Sequence, residues 1–219
     1  MPALALSGSN LAGDAPFSCA LRLPDGIHVV RSPIGDRGDL AGLAAALCRT
    51  HGVEPRSLQE LRVDLGPGSY TGLRVAVTFV RFLQHFGAIP VLACDSLLLL
   101  ASAVSLVPGP TRLRPLLDAR RDRFHCGTLR HTAEGVRHLV EPTAEPLERV
   151  LASLEAGDRI VTTAALGLRF ASAAAAAGAE IAEFTTLDAG ALFSPTLRLR
   201  PCDAEQLAPR YLMGSYAES

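Results

Sequence analysis

At 219 residues the chain is long enough to bury one large core or two smaller ones. With 48% hydrophobic residues, 20% charged residues and a formal net charge of −1, it reads as an ordinary soluble globular protein, which excludes a disordered or fibrous class and a broad basic nucleic-acid footprint. Every one of the 21 basic residues is arginine, so a P-loop lysine, a Schiff-base lysine and a catalytic lysine base are all excluded.

The longest apolar stretch, residues 97–107, is broken by serines and too short to span a bilayer, and "MPALALSGSN" lacks the basic start of a secretion signal. A cytosolic protein is the expectation. Cys19, Cys48, Cys94, Cys126 and Cys202 form no CxxC pair, and His28, His51, His85, His125, His131 and His138 form no HExxH or HxxxH pattern. Reduced, buried thiols, surface or satisfied histidines, and no metal or cofactor are expected.

In chain order, residues 3–7, 17–23 and 27–31 read as three strands, the last two joined by the turn "PDG". Asp39 then caps an amphipathic helix that places Leu40, Leu43, Ala44 and Leu47 on one face and stops at Gly52. "LRVDL" supplies a strand, a glycine-rich loop turns the chain, and residues 72–85 return to helical periodicity. "VLAC" is a further strand, and Asp95 or Ser96 starts an apolar helix reaching about Val107. Strand and helix alternating in this way predict a mixed sheet with parallel members and helices on its faces.

"PGPTR", residues 108–112, is the strongest linker signal, giving an N-terminal lobe over 1–108 and a smaller α/β lobe over 109–219 whose last segment packs back on the first. In the second lobe, "LRPLLDARRDRFHCGTLRH" reads as strand, arginine-rich bend and strand. "AEG" turns into the strand "VRHLV", residues 144–156 and 167–178 read as helices around the strand "RIVTT", and the alanine run reads as a plain surface helix. No sequence repeat of fixed period is present.

The loop Gly66, Pro67, Gly68, Ser69, Tyr70, Thr71, Gly72, with Arg74 just beyond, raises two possibilities. Its backbone N–H groups at a helix start suit a phosphate or another anion; alternatively its glycines only permit tight packing. It is not a Walker motif, not G-x-S-x-G and not G-x-G-x-x-G. In the helix after it, Arg74, Thr78, Arg81 and His85 fall on one stripe while apolar side chains fill most of the remaining circumference. Such a helix is either buried on both sides or offers one apolar face to a partner. "DARRDR" either grips an anion through Asp118, Arg120 and Arg121 or is a salt-bridged bend.

"GPGSYTGLRVAV", followed by "FGAIPVLACDSLLLLA", "LDARRDRFHCG" and "LAPRYLMGS", resembles the bacterial TsaB family, also called YeaZ. The resemblance covers residues 61–127 well, 18–31 and 209–212 more weakly, and carries nothing over between 128 and 200. It implies a two-lobed fold of the actin, sugar kinase and Hsp70 (ASKHA) group, with no catalysis of its own. It also implies pairing with the enzyme TsaD, with the ATPase TsaE joining them, in threonylcarbamoyl transfer to N6 of adenosine 37 of tRNAs that read ANN codons. The partner surface would then involve Leu73, Ala76, Val77, Phe79, Val80 and Leu83 of the second helix and Leu40, Leu43 and Leu47 of the first, with a homodimer through the same helices as an alternative.

Two segments depart from that family. "ALALSGS" stands where members begin "ILAIDTS", so Ser7 and Gly8 replace the acidic residue and threonine of the first phosphate loop, which argues against Mg–ATP hydrolysis by this lobe. "SPIGDRGDL" replaces a histidine-serine element before the first helix. A divergent homodimer of the same fold, a kinase-like ATPase and, more distantly, a peptidase are the competing readings.

Overall fold

The computed structural model describes residues 1–9, 15–33, 38–104, 111–184 and 187–213. In chain order the elements are β1 (Ala3–Ser7), β2 (Ser18–Leu23), β3 (Gly26–Arg31), α1 (Leu40–Thr50), β4 (Glu60–Asp64), α2 (Tyr70–Gly87), β5 (Val91–Cys94) and α3 (Ser96–Ser102). They continue with β6 (Thr111–Asp118), β7 (Arg123–Thr132), β8 (Gly135–Pro146), α4 (Leu147–Ala152), β9 (Arg159–Thr163), α5 (Ala164–Ala177), β10 (Glu180–Phe184) and β11 (Arg200–Cys202). Two compact units result, one formed by Met1–Ser96 with Thr186–Pro195 and Leu199–Arg210, the other by Leu97–Thr185 with Thr196–Arg198.

The first unit holds a sheet of order β11-β5-β4-β1-β2-β3, in which β1, β4 and β5 are parallel and β2, β3 and β11 antiparallel to their neighbours. Strand alternation divides its side chains. Leu4, Leu6, Cys19, Leu21, Leu61 and Val63 join one core with Leu40, Ala44 and Leu47 of α1 and Ala76, Val77 and Val80 of α2. Each large aliphatic side chain buried there contributes roughly 1.5–3 kcal/mol. The alternate residues hold the 3-10 turn Ala189–Phe193: Ser18 Oγ accepts from Ala189 N, and Arg62 donates to the Leu192 carbonyl. The guanidinium groups of Arg22 and Arg62 each lie 4.8 Å from the Phe193 ring centroid, and Glu60 binds both arginines.

The second unit has the order β10-β9-β6-β7-β8, with β6, β9 and β10 parallel and β6, β7 and β8 an antiparallel meander. This repeats the topology of the first: three meandering strands, a helix, a parallel strand, a helix and a parallel strand. Its core packs Leu116, Phe124, Cys126 and Ile160 against Val150 of α4 and Leu166, Phe170 and Ala174 of α5. Arg114 is buried beside Asp158 at 3.5 Å, Arg112 Nε lies 3.2 Å from the same carboxylate, and Arg112 also pairs with Glu155.

Several elements differ from the sequence expectation. The helix expected over 144–156 is confined to 147–152, because Pro142 and Pro146 keep the chain extended and Ala144 stays in β8 opposite His125. The alanine-rich helix is no plain surface helix: Phe170 is fully buried and meets Phe124 edge to face at 5.2 Å. α3 ends at Ser102, and its expected extension to Val107 runs into residues outside those described. Among the described residues, no helix is long and apolar enough to cross a membrane, and no group of three or more potential ligands could hold a metal ion.

Candidate functional site

The carboxyl ends of β1, β4 and β5 lie side by side, the place where open α/β sheets commonly receive ligands. Here they bring together Ser7, Ser9, Asp64 and Ser96, all buried, with the glycine loop above them. Ser7 and Ser9 share a hydroxyl contact of 3.2 Å, and Ser96 Oγ donates to Asp64 Oδ2 at 3.0 Å. Asp64 Oδ1 has no hydrogen-bond partner.

The glycine loop is spent on packing. Gly66 takes φ +96°, a conformation side-chain-bearing residues rarely adopt. A Cβ on Gly8 would overlap the Gly72 carbonyl, one on Gly72 the Gly8 carbonyl, and one on Gly68 the Ser9 backbone. The two loops therefore touch backbone to backbone, with no room for a methyl group between them at these points. The N–H groups that an anion would need are partly committed as well: Ser69 N donates to the Ser9 carbonyl at 3.1 Å, and Gly72 N to Ser69 Oγ at 3.2 Å. Ser69 is the N-cap of α2.

Burial pushes the Asp64 carboxyl above its ordinary range, against the opposing pull of the hydroxyls of Ser9, Ser96 and Ser7. The folded state thus holds a proton that the unfolded chain releases near pH 4. Stability from this group is complete below that pH and is lost as pH rises through the folded value. Asp64→Asn removes the dependence, so its melting temperature relative to the native chain is expected to climb as pH is raised above about 4. A constant difference across that range in thermal melts would show Asp64 to be ionised in the fold.

α2 carries the exposed part of this region. Ala76, Val77 and Val80 are buried against the sheet together with Leu40 and Leu47 of α1, and Leu73 is buried beside Gly66 of the glycine loop, so these six residues of the expected partner surface are buried within the chain itself. The reason is that the sheet lies on the side marked by the small residues Gly72 and Ala76. Phe79, Leu83 and Leu43 are half-buried at its margin. The outward face instead presents Val75, Phe82 and Phe86, which are 39%, 57% and 73% exposed. Phe82 and Phe86 rings meet at 4.5 Å, and a shallow open groove runs along Arg74, Val75, Thr78, Phe79 and Phe82. α2 is thus not covered on both sides by its own unit. Arg74 lies over the Tyr70 ring and donates to its hydroxyl at 3.1 Å.

"DARRDR" forms the β6–β7 hairpin tip. Arg120, Arg121 and Asp122 all have positive φ, and the turn is closed by Ala119 N to the Arg123 carbonyl and Arg120 N to Asp118 Oδ1. Arg123 donates to the Ala144 carbonyl, and Arg169 lies 3.7 Å from Asp122. Asp118 is thereby used within the turn. All five cysteines are free and buried, and burial raises each thiol, which makes them poor nucleophiles at neutral pH. His125 departs from the expectation of a surface or satisfied histidine: it is buried with Nδ1 unpartnered, and burial lowers its pKa to about 4.

Residues 38–194 match the family model described as TsaD: tRNA N6-adenosine threonylcarbamoyltransferase. The tRNA threonylcarbamoyladenosine biosynthesis protein TsaB of Bacillus subtilis (strain 168) is 38% identical over 73 residues, which is 33% of this chain and 31% of that protein. YeaZ from Pseudomonas aeruginosa superimposes with a TM-score of 0.73 at 23% identity, covering 96% of this chain and 99% of that one. A second solved structure, titled as an uncharacterized protein with similarity to peptidase YeaZ from Pseudomonas aeruginosa, gives 0.72 at 24% identity, covering 97% and 99%. The YeaZ fold, with its ASKHA-like pair of α/β units, is therefore the fold of this chain, and the chain belongs to the TsaD family, within which its likeness is to the TsaB (YeaZ) proteins.

Proposed function

We propose that this chain is a non-catalytic subunit of a tRNA-modifying complex, pairing with a TsaD-type enzyme for threonylcarbamoyl transfer to N6 of adenosine 37, with a TsaE-type ATPase joining the pair. The observation that carries the reading is the uncovered row Val75, Phe82 and Phe86 on α2. Aromatic and aliphatic side chains left in water along one helix face fit a protein interface. The glycine loop supports it from the other side. With its backbone packed against residues 8 and 9 and Ser69 used as a helix cap, the loop serves to fix the start of α2. Its conspicuous sequence positions an interface helix.

Loss of the gene is expected to remove N6-threonylcarbamoyladenosine from tRNA, read by mass spectrometry of digested nucleosides, and the native chain restores it. Ser69→Ala loses a cap worth about 1 kcal/mol and restores modification nearly in full. Failure of Ser69→Ala to restore modification while the protein remains folded would return a chemical role to the loop.

A further inference from the structure

The second sheet carries a row of arginines set directly against one another. Arg112 of β6 stands opposite Arg130 of β7, and Arg130 stands opposite Arg137 of β8. Directly paired residues share a face, so three guanidinium groups rise from adjacent strands about 5 Å apart. Like charges opposed in this way destabilise a sheet unless something answers them. Arg112 is answered within the unit, by Glu155 and Asp158. Arg130 and Arg137 are exposed, because α4 and α5 cover this face only further along, around Leu116, Cys126 and Ile160.

Arg198 joins them. Gly135 lies two residues before Arg137 on the same face, and a Cβ there would meet Arg198 Nε at 3.2 Å and Cγ at 3.4 Å, so the stem of Arg198 lies where a side chain would stand. Its Nε donates to the Glu134 carbonyl, which holds it at the β7–β8 turn. The Glu134 carboxylate accepts first from the Thr132 hydroxyl and is drawn more weakly to Arg137 and Arg198. It stands in water, where such attraction is worth little.

We infer that Arg130, Arg137 and Arg198 form a binding face for the phosphate backbone of a folded RNA. Arginine forks match phosphate oxygens in pairs. Residues 128–146 contain no Phe, Tyr or Trp, so β7 and the part of β8 beside it offer no ring on which an unpaired base could stack. The face grips backbone and leaves sequence unread, which suits a duplex stem. With a formal net charge of −1 the chain has no general basicity, so the attraction is confined to this row. The choice of RNA rests on the reading of the chain as a subunit of a tRNA-modifying complex, and it gives the chain a contact of its own with the substrate.

The test is fluorescence anisotropy of a labelled, unmodified tRNA transcript titrated with the full chain. The native chain is expected to bind at about 0.05 M salt and to weaken steeply toward about 0.2 M. Arg130→Gln/Arg137→Gln is expected to bind at least tenfold more weakly and to flatten the slope of log affinity against log salt by about two. Its melting temperature is expected to equal or exceed that of the native chain, because an opposed charge pair is gone. Arg120→Gln/Arg121→Gln, at the exposed β6–β7 tip of the same unit, is expected to bind within about twofold of native and serves as the control for general charge loss. Should the first double variant fail its melt, Arg137→Gln alone is expected to bind about threefold or more weakly and to flatten the slope by about one. No binding by the native chain, equal losses in the two double variants, or displacement of the tRNA by polyglutamate at matched charge overturns the inference. The last of these would assign the row to an acidic protein. Restoration of N6-threonylcarbamoyladenosine by the native chain alongside any such result leaves the proposed function standing and removes only the RNA contact.

Discussion

Val80→Glu is expected to unfold the chain, while Phe82→Glu, two positions along the same helix, is expected to leave it folded and to abolish the proposed association with a TsaD-type partner. Val80 has no exposure and packs with Leu61, Val63 and Ala76 in the first core. A carboxylate placed there must shed its hydration or take up a proton, with no polar partner to offset either. The expected cost is about 4 kcal/mol or more, comparable with the whole stability of a domain of this size. Phe82 is 57% exposed, so its replacement removes little from the chain's own packing. The same charge at the centre of a docked apolar face is buried only when the partner arrives, so its cost falls on binding. Circular dichroism melts and light scattering of the two variants separate these outcomes. Two equally unfolded variants would mean that both faces of α2 are core.

Asp158→Ala is expected to cost about 3–5 kcal/mol. Asp158 lies at the loop before β9, buried between Arg112 and Arg114, and its Oδ2 also accepts from Glu155 N at 3.0 Å. Arg114 in turn donates to the Ser153 carbonyl and hydroxyl. Removing the carboxylate leaves Arg114 buried with an uncompensated charge beside a second arginine, and it frees the turn that carries the chain from α4 into β9. Urea denaturation measures the loss as a lower midpoint at unchanged slope. A midpoint within the scatter of the native protein would show that water replaces the carboxylate without cost.

The alternation of strands and helices was legible because it is written in local periodicity. Asp39 caps α1 through Gly42 N, the PDG turn joins β2 to β3, and the strand and helix around the glycine loop lie where the apolar spacing places them. β10 and β11 lie outside the elements expected from the sequence. β11 has three residues and takes its conformation from pairing with β5, more than a hundred residues earlier in the chain. The matching topology of the two units also left no trace as a sequence repeat, because a shared fold requires only similar spacing of apolar residues.

The candidate site was legible in part. The loop and α2 stand out in the sequence, but the direction in which an apolar helix faces depends on where the sheet lies, and that is a long-range fact. Gly72 and Ala76, four residues apart, were the available signal: small side chains mark the side of close approach, and bulky Phe82 and Phe86 the opposite one. Asp64 lies outside the site residues expected from the sequence. A carboxylate ending an apolar strand just before a glycine loop is its only sign, and its surroundings are completed by Ser7 and Ser9 at the end of β1 and by Ser96 at the start of α3, two segments distant in sequence from Asp64.

The most direct measurement is the mass, by light scattering, of this chain mixed with the TsaD-type protein of the same organism, with the native chain and Phe82→Glu run side by side. The native chain is expected to give a stable heterodimer and Phe82→Glu, folded by its melt, two separate monomers. A heterodimer that survives Phe82→Glu unchanged would place the partner surface elsewhere, and no association of the native chain at all would contradict the proposed function itself.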